Sequence, residues 1–319
     1  MRPSDIRIVF MGTPDFAVPS LEILYNQGFS IVSVVTATDK LGGRGKNQWI
    51  ASPIKKFAAA HGIPVLQPKN LKAKTFIEDL KRLQADLQIV VAFRMLPEVV
   101  WDMPALGTYN LHGSLLPAYR GAAPIHWAVI RGEQITGLTT FKLQHAIDTG
   151  SIMMQRKVAI DPQDTTGSLY ERMKTIGAEV VLDTVKTICR GNFQLQPQNE
   201  QNASHAPKIY TEDAEIDFNQ TAMQVYNFVR GMSPVPGAWT MIDGKVLKCY
   251  FVERADSGAK LYPGEIDTDQ RTYLRIGTNH GAVQLTDVQL EGKRRMDIRT
   301  FLNGYTIKVL KTSKANGPS

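Results

Sequence analysis

The chain has 319 residues, 43% of them hydrophobic, with 37 basic and 30 acidic side chains for a net charge of +7. That length suggests about two domains at roughly 150 residues each, and the excess of positive charge suits a polyanionic partner, an RNA or an acidic small molecule, although plain enzymes are often mildly basic. Cys189 and Cys249 lack C-x-x-C spacing, so neither a disulfide framework nor a metal site is expected; no run nears the roughly 18 apolar residues of a membrane span, and the opening "MRPSDIRIVF" lacks a secretory leader's apolar stretch, so a soluble, cytoplasmic protein is expected.

In chain order the first half alternates strand and helix. "IRIVFMG" reads as a buried strand and "DFAVPSLEILYNQG" as a helix closed by a glycine. "FSIVSVVTA" is a second strand. "SPIKKFAAAHG" is a helix with Ser52 as N-cap and Pro53 at its first position. "IPVLQP" is a third strand, "AKTFIEDLKRLQA" an amphipathic helix and "DLQIVVAF" a fourth strand. Apolar strands in β-α-β-α order predict a mostly parallel, Rossmann-like sheet covered on both faces. "LGTYNLH" ends as a further strand, "APIHWAVIRGE" follows as a helix, and "GLTTFKLQ" and "SIMMQRKVAI" are strands flanking "HAIDTG". A long helix is expected from Ser168 to about Arg190, with Ser168 and Glu171 as its capping box.

The texture then changes. "NFQLQPQNEQNASHAPKIY" is polar and aperiodic and reads as an interdomain linker. Short alternating segments follow, "GAWTMIDGKVLKCYFVE" with an Asp-Gly turn, "TYLRIGT" and "GAVQLTDVQL", and predict a small β-barrel. The expected division is 1–190, a linker at 191–207, and 208–319.

Asn110 and His112 close the strand "LGTYNLH". Ligands of open parallel sheets bind at the carboxyl ends of strands, and alternation puts positions i and i+2 on one face. A neutral imidazole accepts a proton and an amide N–H donates to a developing oxyanion, which suits acyl transfer. A hydrogen-bonded Asn–His pair that merely holds the loop is the plainer account of the spacing alone. Asp148 in "AIDTG" is placed to orient the imidazole, or is a common turn former. No Ser or Cys nucleophile motif, H-E-x-x-H or G-x-G-x-x-G occurs. Direct attack by a substrate amine needs none of them.

"YNLHGSLLPAYRGAAPIHWAVIRGE" followed by "IDTG" resembles the formyltransferase family that uses 10-formyltetrahydrofolate. The resemblance implies a Rossmann-like catalytic domain and folate as co-substrate, without a metal. It implies Asn110 and His112 as stabilisers of a tetrahedral oxyanion, Asp148 with His112 in proton transfer, and Ser114, Leu115, Leu116 and Pro117 as the folate-contacting segment. "GTPDFA", "HAPKIY" and "VRGMSPVPGAWT" resemble the members that act on methionyl-tRNA, which implies initiator methionyl-tRNA as acceptor, an OB-like β-barrel that helps hold tRNA, and a monomer. Those members carry a basic, Gly-rich loop where this chain has "TDKLGGRGKNQW", with Lys40-Leu41 where Arg-Pro is usual. The resemblance makes Lys40, Arg44, Lys46 and Trp49 the tRNA-binding loop. Lys55 and Lys56 extend its charge, and Trp49 offers a stacking face. Phe93-Arg94-Met95 departs from the family's usual pattern and His145 varies in it, so their contacts stay open. An amino-sugar acceptor accounts for the core but not for "GTPDFA" or "GRGK"; a non-catalytic RNA-binding protein leaves Asn110, His112 and Asp148 without a reason.

Overall fold

The computed structural model describes residues 2–42, 48–255 and 261–313. They form two compact units. The first comprises Met1–Gly121, Thr136–Ala159 and Tyr170–His205; the second comprises Ala122–Ile135, Ile160–Leu169 and Ala206–Ser319.

The elements through residue 112 are β1 (Arg7–Gly12), α1 (Val18–Asn26), β2 (Ser30–Val35), β3 (Lys40–Gly42), β4 (Gln48–Ile50), α2 (Pro53–Ala60), β5 (Val65–Leu66), α3 (Lys74–Arg82), β6 (Leu87–Val91), α4 (Glu98–Trp101) and β7 (Thr108–His112). Then come α5 (Pro124–Ile130), β8 (Ile135–Lys142), β9 (Ile152–Ala159) and α6 (Thr166–Arg190). Seven strands pair in the order β5-β2-β1-β6-β7-β8-β9. The first five run parallel and β8 is antiparallel to β7. β6 is buried at every position and β1 at all but its first, as a sheet covered on both faces requires. Chain order reverses between β1 and β6, which is where a doubly wound sheet opens a crevice at its carboxyl edge.

Ser52 caps α2 as its sequence suggests: its hydroxyl accepts the Lys55 N–H at 3.1 Å, with Pro53 at the first helical position. The cap of α6 lies three residues earlier than expected. Thr165 N–H donates to Ser168 Oγ at 3.0 Å and Ser168 N–H donates to Thr165 Oγ1 at 3.2 Å, a reciprocal box. Glu171 instead forms an ion pair with Lys174.

In the second unit, α7 (Ala222–Met232) precedes β10 (Ala238–Ile242), β11 (Lys245–Ala255), β12 (Ile266–Thr268), β13 (Leu274–Gly277), β14 (Ala282–Leu290), β15 (Met296–Asp297) and α8 (Ile298–Gly304). The strands form a curled antiparallel sheet, β10-β11-β14-β13-β12 with β15 on β14, the half-barrel of an OB-like domain. Asp243 and Gly244, at φ 51° and 72°, turn β10 into β11. Positive φ at both central residues is the hairpin geometry that Asp-Gly favours. Val225, Val229 and Met232 of α7 join the core beneath this sheet, and Ile130 of α5 packs against it. The helix "APIHWAVIRGE" is thus part of the second unit although its sequence follows the first unit's strand β7 directly.

The polar stretch expected as a linker is bonded to the first unit through His205. Gln196 exchanges two backbone hydrogen bonds with Ile152 (2.7 and 2.9 Å), and Arg120 N–H donates to the Ser204 carbonyl at 2.8 Å.

Candidate active site

β7 brings Asn110 and His112 to the carboxyl edge of the sheet, on one face, with Val90 of β6 and Phe141 of β8 beside Asn110. Asn110 is half-buried, and among the described residues its amide has no hydrogen-bond partner. A donor left uncommitted at a strand's carboxyl end is free for a substrate oxygen.

His112 is buried, its side chain 6% exposed. Its Nε2 lies 2.8 Å from the Tyr119 carbonyl. A carbonyl only accepts, so Nε2 carries the proton and Nδ1 is left as the basic nitrogen. Asp148 Oδ2 stands 3.7 Å from Nδ1, too far for a direct hydrogen bond but close enough to stabilise an imidazolium. The expected carboxylate–imidazole partnership is therefore one of charge across a gap.

Asp148 has φ 55°, a left-handed conformation costing about 1 kcal/mol or more for a residue with a side chain. Its carboxylate is held: Gly121 N–H donates to Oδ2 at 2.9 Å. Gly150 two residues on is required by space, because a Cβ there would lie 1.7 Å from the Lys142 carbonyl oxygen. Asp-Thr-Gly is thus a turn former that also sets a carboxylate 3.7 Å from His112 Nδ1.

One short segment, "YRG", which the sequence marks only as basic, serves both groups. Tyr119 holds His112 and Gly121 holds Asp148. Between them Arg120 is buried and forms a two-point ion pair with Glu200, both N···O distances 2.8 Å. Glu200 holds the guanidinium above its usual pKa, the charge of Asp148 adding to the effect, and Arg120 in turn holds the Glu200 carboxyl below its usual range. Tyr119, Gly121, Arg120 and Glu200 carry no motif of their own. They are contributed by loops whose meeting only the fold determines.

In the segment 114–117, Ser114 and Leu116 are buried. Ser114 Oγ donates to the Ala118 carbonyl at 2.6 Å, and Leu116 N–H donates to Thr139 Oγ1 at 3.1 Å. Leu115 and Pro117 are the half-buried members able to meet a ligand. A cleft of about 900 Å³ opens beyond β6, bounded by residues 69–72 and 94–99; it is not lined by Asn110, His112 or Asp148. His145, 3.3 Å from Glu98 and edge-on to Trp101, stands between this cleft's rim and the turn that carries Asp148.

Of the four loop residues, Lys40 and Trp49 belong to a two-stranded ribbon, β3 against β4, in which Leu41 faces Trp49. Trp49 is 69% exposed. Arg44 and Lys46 lie outside the described residues. Lys55 is not free to add charge, since it forms a 2.6 Å ion pair with Asp39, which also accepts from Gln67 at 2.8 Å. Among the described residues no group of three acidic, His or Cys side chains could hold a metal ion, and no helix is long and apolar enough to cross a membrane.

Residues 6–185 match the family described as formyl transferase, and residues 208–306 match the formyl transferase C-terminal domain. A methionyl-tRNA formyltransferase of Parabacteroides distasonis is 48% identical over 315 residues, covering 96% of this chain and 97% of that protein. The enzyme of the same name from Bacteroides fragilis is 45% identical, with 96% and 97% covered. Among solved structures, an N-formyltransferase of Helicobacter canadensis, in complex with folinic acid and dTDP-3-aminofucose, superposes at a TM-score of 0.67 with 19% identity, covering 89% of this chain and all of that one. HypX of Aquifex aeolicus with tetrahydrofolic acid superposes at 0.64 with 21% identity over 93% of this chain, which spans about half that protein's length, 47%. At such identities the two structures speak for the fold, while the end-to-end sequence matches speak for descent. The chain belongs to the formyl transferase family and carries both of its domains.

Proposed function

We propose that this protein transfers the formyl group of 10-formyltetrahydrofolate to the α-amine of methionyl-initiator tRNA, giving the formylmethionyl-tRNA used to start translation. The observation that carries this reading is the 48% identity, across 96% of the chain, with a methionyl-tRNA formyltransferase. The uncommitted Asn110 amide beside a histidine whose Nε2 is bonded to the Tyr119 carbonyl, leaving Nδ1 open, supports the same chemistry.

The neutral amine adds to the formyl carbon and negative charge gathers on the formyl oxygen. Asn110 donates to that oxygen; His112, which the resemblance also makes an oxyanion stabiliser, has its Nε2–H committed to the Tyr119 carbonyl and in this reading takes the attacking amine's proton on Nδ1. The imidazolium so formed faces Asp148, whose charge stabilises it, and gives the proton up to the folate nitrogen as that nitrogen leaves. Within 114–117, Leu115 and Pro117 offer the folate side-chain contacts, while Ser114 and Leu116 hold the segment's shape. Residues 1–190, with the stretch to His205 bonded onto them, carry the chemistry, and 208–319 help hold the tRNA. A monomer in the cytoplasm is part of the proposal, the location following from the acceptor.

The test is transfer of labelled formyl from 10-formyltetrahydrofolate to initiator methionyl-tRNA, with free methionine and an elongator methionyl-tRNA beside it. Transfer to the initiator alone is the expected result. Folate binding without transfer to either tRNA would overturn the acceptor and point to an amino-sugar nucleotide.

Lys40, Arg44, Lys46 and Trp49 are the proposed tRNA contacts. Stacking of one base on an aromatic ring is worth about 1–3 kcal/mol. Trp49→Ala therefore raises KM for the tRNA roughly five- to hundredfold with kcat retained. Arg44→Ala or Lys46→Ala flattens the salt dependence of tRNA binding by roughly 0.7–0.9 in log–log slope for each phosphate contact removed. Unchanged tRNA kinetics in all three variants would take residues 40–49 out of the interface.

A further inference from the structure

Asp148 is the least conventionally placed of the three site residues. Residues 144–147 before it are exposed, so packing from that side does not impose its left-handed backbone. Gly121 holds its carboxylate and Thr149 Oγ1 closes the turn onto the Ala146 carbonyl at 3.0 Å, while its backbone carbonyl is held from the polar stretch 191–205. The Gln198 side-chain amide donates both of its hydrogens, one to the Asp148 carbonyl and one to the Gly150 carbonyl, each at 2.8 Å. Its oxygen accepts from Arg120 Nε at 3.1 Å and from a second guanidinium nitrogen at 2.7 Å. Both hydrogens and both lone pairs are used, and the reverse orientation would set N–H against guanidinium and carbonyl against carbonyl. The amide therefore has a single orientation. Arg120 is fixed in turn by Glu200 on one side and by its own backbone bond to Ser204 on the other.

We propose that Gln198 is a positioning residue for formyl transfer: by gripping the carbonyls on either side of Thr149 and leaning on Arg120, it sets the Asp148 carboxylate opposite His112 Nδ1. The assignment rests on the proposed proton-transfer role of Asp148. Gln198 bonds to the backbone of the turn, so it shapes where the carboxylate stands without meeting the reacting atoms. A misplacement of about 1 Å costs on the order of a hundredfold in rate. The loss belongs in kcat, because neither substrate is assigned a contact with Gln198.

Two variants separate this role from simple anchoring of the 191–205 segment. Gln198→Met removes all four hydrogen bonds. Gln198→Glu keeps the acceptor toward Arg120 and adds an ionic pairing, so the segment stays anchored, but it offers no N–H to the two carbonyls. The expected result is a fall in kcat of about tenfold to a hundredfold in both, with KM for each substrate within about twofold and with Gln198→Glu, which keeps its tie to Arg120 but turns an oxygen toward the two carbonyls, still folded at the assay temperature. If Gln198→Met does not fold, Gln198→Glu decides the matter alone. Asp148→Asn and the Asp148→Asn/Gln198→Glu double variant are measured alongside. Once the carboxylate is gone, its positioning residue has nothing left to position, so the double variant should be no slower than Asp148→Asn. Parental kcat in Gln198→Glu, or an additive loss in the double variant, overturns the assignment while leaving the role of Asp148 intact. Full activity in Asp148→Asn overturns that role, and this assignment with it.

Discussion

Asn110→Ala is expected to lower kcat for formyl transfer about a hundredfold to a thousandfold, the loss typical when one preorganised oxyanion donor is removed. KM for methionyl-tRNA should stay near the parental value, because the amide is useful only as charge builds on the formyl oxygen. Stability should change little. The side chain is half-buried on a strand whose neighbours Val90 and Phe141 pack without it, and no bond among the described residues is broken. Single-turnover transfer with saturating tRNA reads the effect directly. A loss that appears only in KM would make Asn110 a binding residue and leave the oxyanion without its proposed donor.

Asp148→Asn should cost kcat by about a hundredfold to ten-thousandfold, the usual range for a group that assists proton transfer. The substitution isolates charge from shape. Asparagine is among the few residues that tolerate φ near +55°, and its amide oxygen can still accept the Gly121 N–H. What disappears is the negative charge 3.7 Å from His112 Nδ1, and with it the stabilisation of the imidazolium. Retention of kcat within about fivefold would reduce Asp148 to the turn former that Asp-Thr-Gly also allows.

Much of the fold was legible in the sequence. The apolar runs 87–91 and 7–12 could only be strands covered on both faces, and the Asp-Gly pair at 243–244 announced its hairpin. Helix α7 was missed although Thr221 and Gln224 spell a capping box ahead of an apolar run: Thr221 N–H donates to Gln224 Oε1 at 3.0 Å and Gln224 N–H returns to Thr221 Oγ1 at 3.3 Å. The cap of α6 was misplaced for the opposite reason. Ser168 and Glu171 fit the pattern, but Thr165 fits too, and only the helix's true start chooses between them. At the site, Asn110, His112 and Asp148 were singled out by the family resemblance, since their spacing alone favoured a structural pair and a turn, and the fold brings His112 and Asp148 within 3.7 Å. Arg120, Gln198 and Glu200 were not, since glutamine in a Gln- and Asn-rich stretch looks like solvent-facing filler until a partner some 50 residues away is folded against it.

The composition also suggested a clean seam near residue 190, and the chain is not sewn there. Each compact unit draws on three separate stretches of chain, and the first keeps its hold through His205. A fragment ending at Arg190 would lack Gln198, Glu200 and Ser204, the residues that brace the loop carrying Asp148. Nor would a later cut divide the protein cleanly, because residues 122–135 and 160–169 lie among the elements of the second unit. The two units therefore cannot be exchanged with those of a relative by one crossover. Exchanging either unit for a relative's means replacing three interleaved segments together.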